Sequence, residues 1–154
     1  QVQVKTPICE TEGVRLKDDT LAVVPILRAG MGMLEGVLSV VPSAAVGVLG
    51  MERNEETHEP HSYYAKMPQG IENRMALVID PMLATGGSAL AAIKYLRETG
   101  VKDIRLLVMV AAPEGVAAVP DVHIWACALD EGLNDAAYIV PGLGDAGDRI
   151  FGTI

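Results

Sequence analysis

The stretch that most constrains this chain is 75–88, MALVIDPMLATGGS. Residues 75–79 form a short apolar run of the kind found in strands buried on both faces. Asp80 and Pro81 end the run. Thr85, Gly86, Gly87 and Ser88 make a loop of small residues, and residues 89–96 are good helix formers. Strand, acid, glycine loop and helix N-terminus therefore follow one another directly. Glycines let backbone N–H groups turn inward and approach an anion closely. The first helical turn adds N–H donors without partners and the positive end of the helix dipole. Such a corner suits a phosphate group. A plain strand-to-helix turn capped by Ser88 accounts for the same residues equally well.

The rest of the chain supplies the setting. Its 154 residues fit one domain. Half of them are hydrophobic and only 4% are aromatic, which suits a parallel sheet covered by helices. Strands are expected at 21–27, 45–51, 75–79, 104–111 and 122–128. Helices are expected at 33–41, 89–98 and 113–119. This alternation predicts an α/β fold, a mainly parallel sheet with helices on both faces. Residues 1–4 alternate polar and apolar as a strand would, and 6–19 read as a turn-rich arm. Residues 52–70 are polar and long for a connection, and are read as a β-hairpin flap over a site. In such sheets ligands bind beyond the carboxyl ends of the strands. The loops at those ends carry Arg28, Arg53, residues 80–88 and Asp130.

Charge and composition remove several alternatives. A net charge of -8 argues against a nucleic-acid-binding surface. It also means that an anion site must be made locally positive by arginines, helix ends or a metal ion. No apolar run reaches the ~20 residues of a membrane helix, and no signal sequence is expected. Cys9 and Cys127 lack metal-ligand spacing and are expected as buried thiols in a reducing cytoplasm. His58 and His61, with Glu55, Glu56 and Glu59, read as a solvated flap rather than a metal site. His123 and Trp125 are expected in the core or at its rim. A dinucleotide-binding oxidoreductase is disfavoured, since no G-x-G-x-x-G follows a strand.

The core of Asp80, Thr85, Gly86 and Gly87 resembles the phosphoribosyl pyrophosphate (PRPP) loop of the type I phosphoribosyltransferases. That family usually has two adjacent acids at the start of the loop. Here the second is Pro81, the form seen in one branch, the uracil phosphoribosyltransferases. Residues 24–30 (VPILRAG) resemble the pyrophosphate-contacting loop of that branch. Residues 53–57 (RNEET), with Glu59 and Pro60, resemble the start of its flap. Residues 111–115 (AAPEG) and 132–134 (GLN) also fit, and 138–148 (YIVPGLGDAGD) resembles its uracil-binding segment.

The resemblance implies the type I phosphoribosyltransferase fold and a reaction of pyrimidine salvage, uracil plus PRPP to UMP plus pyrophosphate, with Mg²⁺ as cofactor. It implies that Arg28 and Arg53 bind pyrophosphate and that Asp80 accepts hydrogen bonds from the ribose hydroxyls. Pro81, Met82, Leu83, Ala84, Thr85, Gly86, Gly87 and Ser88 would complete the PRPP loop. Ile139, Gly144, Asp145 and Ala146 would hold uracil. Asp145 would also reach PRPP and, with Arg28, is assigned to catalysis. No side chain is assigned as a direct metal ligand; Asp145 is the nearest carboxylate. The resemblance also implies a homo-oligomer, activation by GTP, a cytoplasmic location, and no nucleic-acid or membrane partner. Members normally carry a further N-terminal region, so residues 1–154 are expected to form a single, N-terminally incomplete domain. The alternative is a catalytically silent PRPP- or nucleotide-sensing regulator of the same fold.

Overall fold

The apolar runs at 21–27, 75–79 and 104–111 lie side by side at the centre of one sheet. The computed structural model describes residues 1–14, 20–53 and 60–153, without the side chains of residues 52, 53, 60 and 61. In chain order the elements are β1 (Val2–Lys5), β2 (Glu10–Gly13), β3 (Leu21–Leu27), α1 (Met31–Val40), β4 (Ala45–Val46), β5 (Val48–Arg53) and β6 (Pro60–Lys66). A 3₁₀ turn (Ile71–Asn73), β7 (Met75–Ile79), β8 (Met82–Leu83), α2 (Gly87–Glu98), β9 (Ile104–Ala111) and α3 (Pro113–Ala118) follow. The last are β10 (His123–Leu129), β11 (Gly132–Leu133), β12 (Ile139–Val140) and α4 (Ala146–Phe151).

The main sheet runs β10-β9-β7-β3-β5-β6. Every neighbouring pair from β10 to β5 is parallel, and β6 closes the edge antiparallel to β5. Alternate residues of a strand face opposite sides. Ala22, Val24, Ile26, Ala76, Val78, Leu106 and Val108 pack with Ala89, Ala92, Ile93 and Leu96 of α2 in the core. Leu21, Leu77 and Leu107 point the other way, where they share an apolar groove with Met33, Val37 and Val40 of α1. Helices thus cover both faces of a mainly parallel sheet. No helix among the described residues is long and apolar enough to cross a membrane.

Several expectations are corrected. The arm at 6–19 contains a strand: β2 pairs with β1 from Val2↔Gly13 to Lys5↔Glu10. Its charged sequence hides this, because the pairing is made by the backbone. The strand expected at 45–51 is two, β4 and β5, parted at Gly47. A Cβ there would lie 2.6 Å from the Met67 sulfur, so a larger residue would have to displace that side chain. The expected flap hairpin is formed by β5 and β6, and starts earlier, with Val48 opposite Lys66; residues 54–59, with His58 and the three glutamates, lie outside the described residues. Cys9 and Cys127 are both exposed, not buried. Cys127 lies on β10, the sheet's edge strand, which is open to solvent along nearly its whole length. His123 and Trp125 take the rim position on the same strand. Their rings stack 6.3 Å apart, and the Arg105 guanidinium lies 5.6 Å from the Trp125 ring.

Candidate active site

Parallel strands deliver their carboxyl ends to one edge of the sheet, and the ends of four of them bear the candidate chemistry. Arg28 follows β3, Arg53 ends β5, Asp80 follows β7 and Asp130 follows β10. A cleft of about 430 Å³ opens at this edge, within the usual range for small-molecule sites. Thr85 and Ser88 line one wall; Tyr138, Ile139, Gly144 and Asp145 line the other. A smaller recess of about 100 Å³ lies within the glycine loop itself, lined by Asp80 and residues 82–89.

The loop is held from below. Pro81 has no N–H to place, and its buried carbonyl accepts from both Met109 N–H (3.1 Å) and Val110 N–H (3.0 Å). Met82 and Leu83 then pair with Val110 and Ala111 as β8. Gly115 closes underneath, since a Cβ there would come within 2.5 Å of the Ala84 carbonyl oxygen. The chain turns at Gly86, whose φ of +80° is left-handed, and α2 starts at Gly87. Gly86, not Ser88, is the N-terminal cap residue, and no side chain caps the helix. Gly87 N–H points to Thr85 Oγ1 at 3.4 Å. The first-turn N–H groups of α2 and the Thr85 and Ser88 side chains therefore meet at one recess, which is the arrangement an anion requires.

Asp80 is half-buried and accepts from Met82 N–H at 3.3 Å. Burial pushes its carboxyl up to about 7, the Met82 N–H opposes this, and the charge of Asp145 adds to it. Asp145 caps α4, its Oδ1 accepting from Asp148 N–H at 2.9 Å.

Arg28 extends from the end of β3 to α4. Its Nη2 donates to Asp148 Oδ1 at 3.1 Å and its Nη1 to Thr153 Oγ1 at 3.4 Å. Ala29 lines the cleft, whereas Gly30 is buried. A Cβ on Gly30 would lie 2.4 Å from the Ile79 carbonyl oxygen. The small pair after Arg28 thus divides its work: Ala29 opens the wall, and Gly30 lets β3 turn against β7. Arg53 stands at the same edge, and its side chain is outside the described residues.

The opposite wall is a braced hairpin. β12 pairs with β11, with Ile139 opposite Leu133. Asn134 Oδ1 accepts from both Ala136 and Tyr138 N–H, and Glu114 Oε1 accepts from Leu133 N–H. Ile139 is buried. Gly142, at φ +52°, gives its N–H to Asp130 Oδ2 at 2.9 Å. Gly144 is left-handed too, and a Cβ there would meet open space.

Comparison with known proteins decides the family. The uracil phosphoribosyltransferase profile matches residues 1–153. The chain is 58% identical to a uracil phosphoribosyltransferase of Macrococcus caseolyticus over 99% of its own length and 75% of that protein's. It is 54% identical to one from Wolinella succinogenes, with 99% and 76% covered. This chain belongs to the uracil phosphoribosyltransferase family. A solved structure from Aquifex aeolicus superposes with a TM-score of 0.86 at 42% identity, covering 97% of this chain and 74% of that one. A hypoxanthine phosphoribosyltransferase structure from Staphylococcus aureus, at 16% identity, matches with a TM-score of 0.62 over 74% and 64% of the two chains; this likeness shows the fold.

In this uracil phosphoribosyltransferase fold, residues outside the cleft lining support it. Asp130, Glu114 and Asn134 brace the hairpin, and Asp148 pairs with Arg28. Asp145-Ala146-Gly147-Asp148 could have been read as a helix start, an acid followed three residues later by another. The partners of Asp130 and Asp148 are distant in sequence and leave no local signal.

Proposed function

We propose that this cleft joins uracil to the ribosyl phosphate of PRPP, releasing pyrophosphate and giving UMP. The reading is carried by one observation: the glycine loop and the segment around residues 139–147 line the same cleft. The loop's N–H groups and the Thr85 and Ser88 hydroxyls receive the 5′-phosphate, and Asp80 receives the ribose hydroxyls. Arg28 and Arg53 take the pyrophosphate, for which a guanidinium fork is well shaped. Uracil presents two carbonyl acceptors and a ring N–H. Backbone groups of Ile139, Gly144, Asp145 and Ala146 provide the complementary set. Cytosine would set a donor against a donor at one position, at a cost of ~1–3 kcal/mol.

In the reaction the bond from uracil N1 to ribose C1′ forms as the bond from C1′ to pyrophosphate breaks, and the N1 proton is released. Positive charge develops on the ribose and negative charge on the departing pyrophosphate. Asp145, at the base-binding wall, would offset the first; Arg28 and Arg53 would take up the second. Groups placed where charge develops lower the barrier most. Asp145, which lines the cleft with the glycine loop, is the carboxylate available to a cation, directly or through water. Among the described residues no three His, Cys, Asp or Glu side chains group as a closed metal cage. That donor set suits Mg²⁺, which keeps phosphate oxygens and water as ligands. Bound there with PRPP, it would offset the charge of the pyrophosphate. A homo-oligomer, activation by GTP and a cytoplasmic setting belong to the same reading and rest on the family resemblance.

Incubation with uracil, PRPP and Mg²⁺ is expected to yield UMP and pyrophosphate in equal amounts. PRPP binding with no UMP formed would refute the reading and favour a ligand sensor.

A further inference from the structure

A pyrophosphate-binding arginine must be held as well as present. The Arg28 side chain is 53% exposed, so packing alone does not select one rotamer. Fixing such a chain costs up to about 2 kcal/mol of rotamer entropy. Three groups converge on its guanidinium. Asp148 Oδ1 accepts from Nη2 at 3.1 Å, Thr153 Oγ1 accepts from Nη1 at 3.4 Å, and the Phe151 ring centre lies 5.9 Å from Cζ. Thr153 in turn donates its hydroxyl to the same Asp148 Oδ1, which closes a triangle. All three residues belong to α4 or the two residues after it. The bridge joins positions 120 apart in sequence. The guanidinium also lies close to the backbone of Gly147, where a Cβ would stand 3.7 Å from Nη2 and 3.2 Å from Asp145 Oδ1.

We propose that Asp148, anchored by Thr153, is a positioning residue that holds the Arg28 guanidinium ready for pyrophosphate, making α4 part of the pyrophosphate site. This rests on the reading of Arg28 as a pyrophosphate ligand. The same short helix begins at Asp145 and Ala146 on the base-binding wall, so the two ends of the reaction are tied to one rigid element. A lone exposed ion pair contributes little. Here the carboxylate even subtracts positive charge from an anion site, a cost that orientation explains and simple attraction does not. Nη2 gives one N–H to Asp148 of α4 and Nη1 gives one to Thr153 just beyond it, and the remaining N–H groups of the fork stay available to the ligand.

The test is a double-mutant cycle on pyrophosphate binding, measured by calorimetry with Mg²⁺ present. Asp148→Ala is expected to weaken binding five- to tenfold in the unsubstituted background and by less than twofold in an Arg28→Ala background. Asp148→Asn keeps an acceptor for both Arg28 and Thr153 and is expected to recover most of the loss. In steady state the KM for PRPP should rise by the same factor in Asp148→Ala, with the KM for uracil within twofold. Binding in Asp148→Ala as tight as in the unsubstituted protein, or tighter, would overturn the proposal, since the carboxylate would then be only a competing charge. An Asp148→Ala effect that persists without Arg28 would overturn it as merely structural. If Asp148→Ala does not fold, Thr153→Ala takes its place in the same cycle with the same criterion. Failure of the unsubstituted protein to bind pyrophosphate would remove the functional reading and this inference together; binding that is indifferent to both Asp148→Ala and Thr153→Ala would remove this inference alone.

Discussion

Replacing Asp80 with Asn is expected to stabilise the ligand-free protein near pH 8 and to leave it unchanged near pH 4. The carboxyl is pushed from 3.8 to about 7, chiefly because burial penalises its charged form. A raised carboxyl binds its proton more tightly folded than unfolded. The stability it carries is therefore complete below pH 3.8, is lost as pH rises to about 7, and changes no further above that. The shift is about 3 units, and each unit corresponds to 1.36 kcal/mol, so the loss approaches ~4 kcal/mol. Asp80 is only half-buried, and screening on its open side brings the expected range to roughly 2–4 kcal/mol. Asn is nearly isosteric and its Oδ1 can still accept from Met82 N–H, so the substitution isolates the charge. Urea unfolding of both proteins at intervals from pH 4 to pH 8 measures the difference. It should grow with pH and level off above about 7. A difference independent of pH, or an Asp80→Asn protein less stable at pH 8, would refute the reasoning.

Two further substitutions probe the frame. Gly30→Ala should destabilise by ~1–3 kcal/mol or more in urea, because its Cβ would meet the Ile79 carbonyl oxygen at 2.4 Å and the Ile26 backbone at 2.7 Å, which cannot yield. Asp130→Ala leaves the Gly142 N–H without its acceptor. The loss is ~1–3 kcal/mol in the loop that carries the base-binding segment, and the KM for uracil should rise about tenfold while that for PRPP stays within twofold.

The central sheet was legible because its strands are continuous apolar runs, and MALVI stopping at Asp80-Pro81 marks a buried strand ending at a site. The glycine loop was legible for the same reason, but not its details. Ser88 is as good a cap as Gly86 by composition; the left-handed φ of Gly86 and its closeness to Ala118 and Gly115 decide the matter. Cys127 shows the opposite failure, whereas Trp125 takes the rim position expected of it. Their strand is apolar in sequence, yet it lies at the edge of the sheet, and strand order is not written in local pattern. The short helix α4 was missed because six residues give too little periodicity to read. Asp130 and Asp148 were visible as residues but not as supports, since each acts on a partner far along the chain.

The central claim is that the glycine loop and the 139–147 segment, with Arg28 beside them, serve one reaction. Product analysis tests it most directly: uracil, PRPP and Mg²⁺ with the unsubstituted protein, and with Asp145→Asn and Arg28→Ala verified as folded. The account predicts UMP and pyrophosphate in a one-to-one ratio from the first and a strong fall in turnover in both variants. Unchanged turnover in the two variants, or no UMP from the unsubstituted protein, would contradict it.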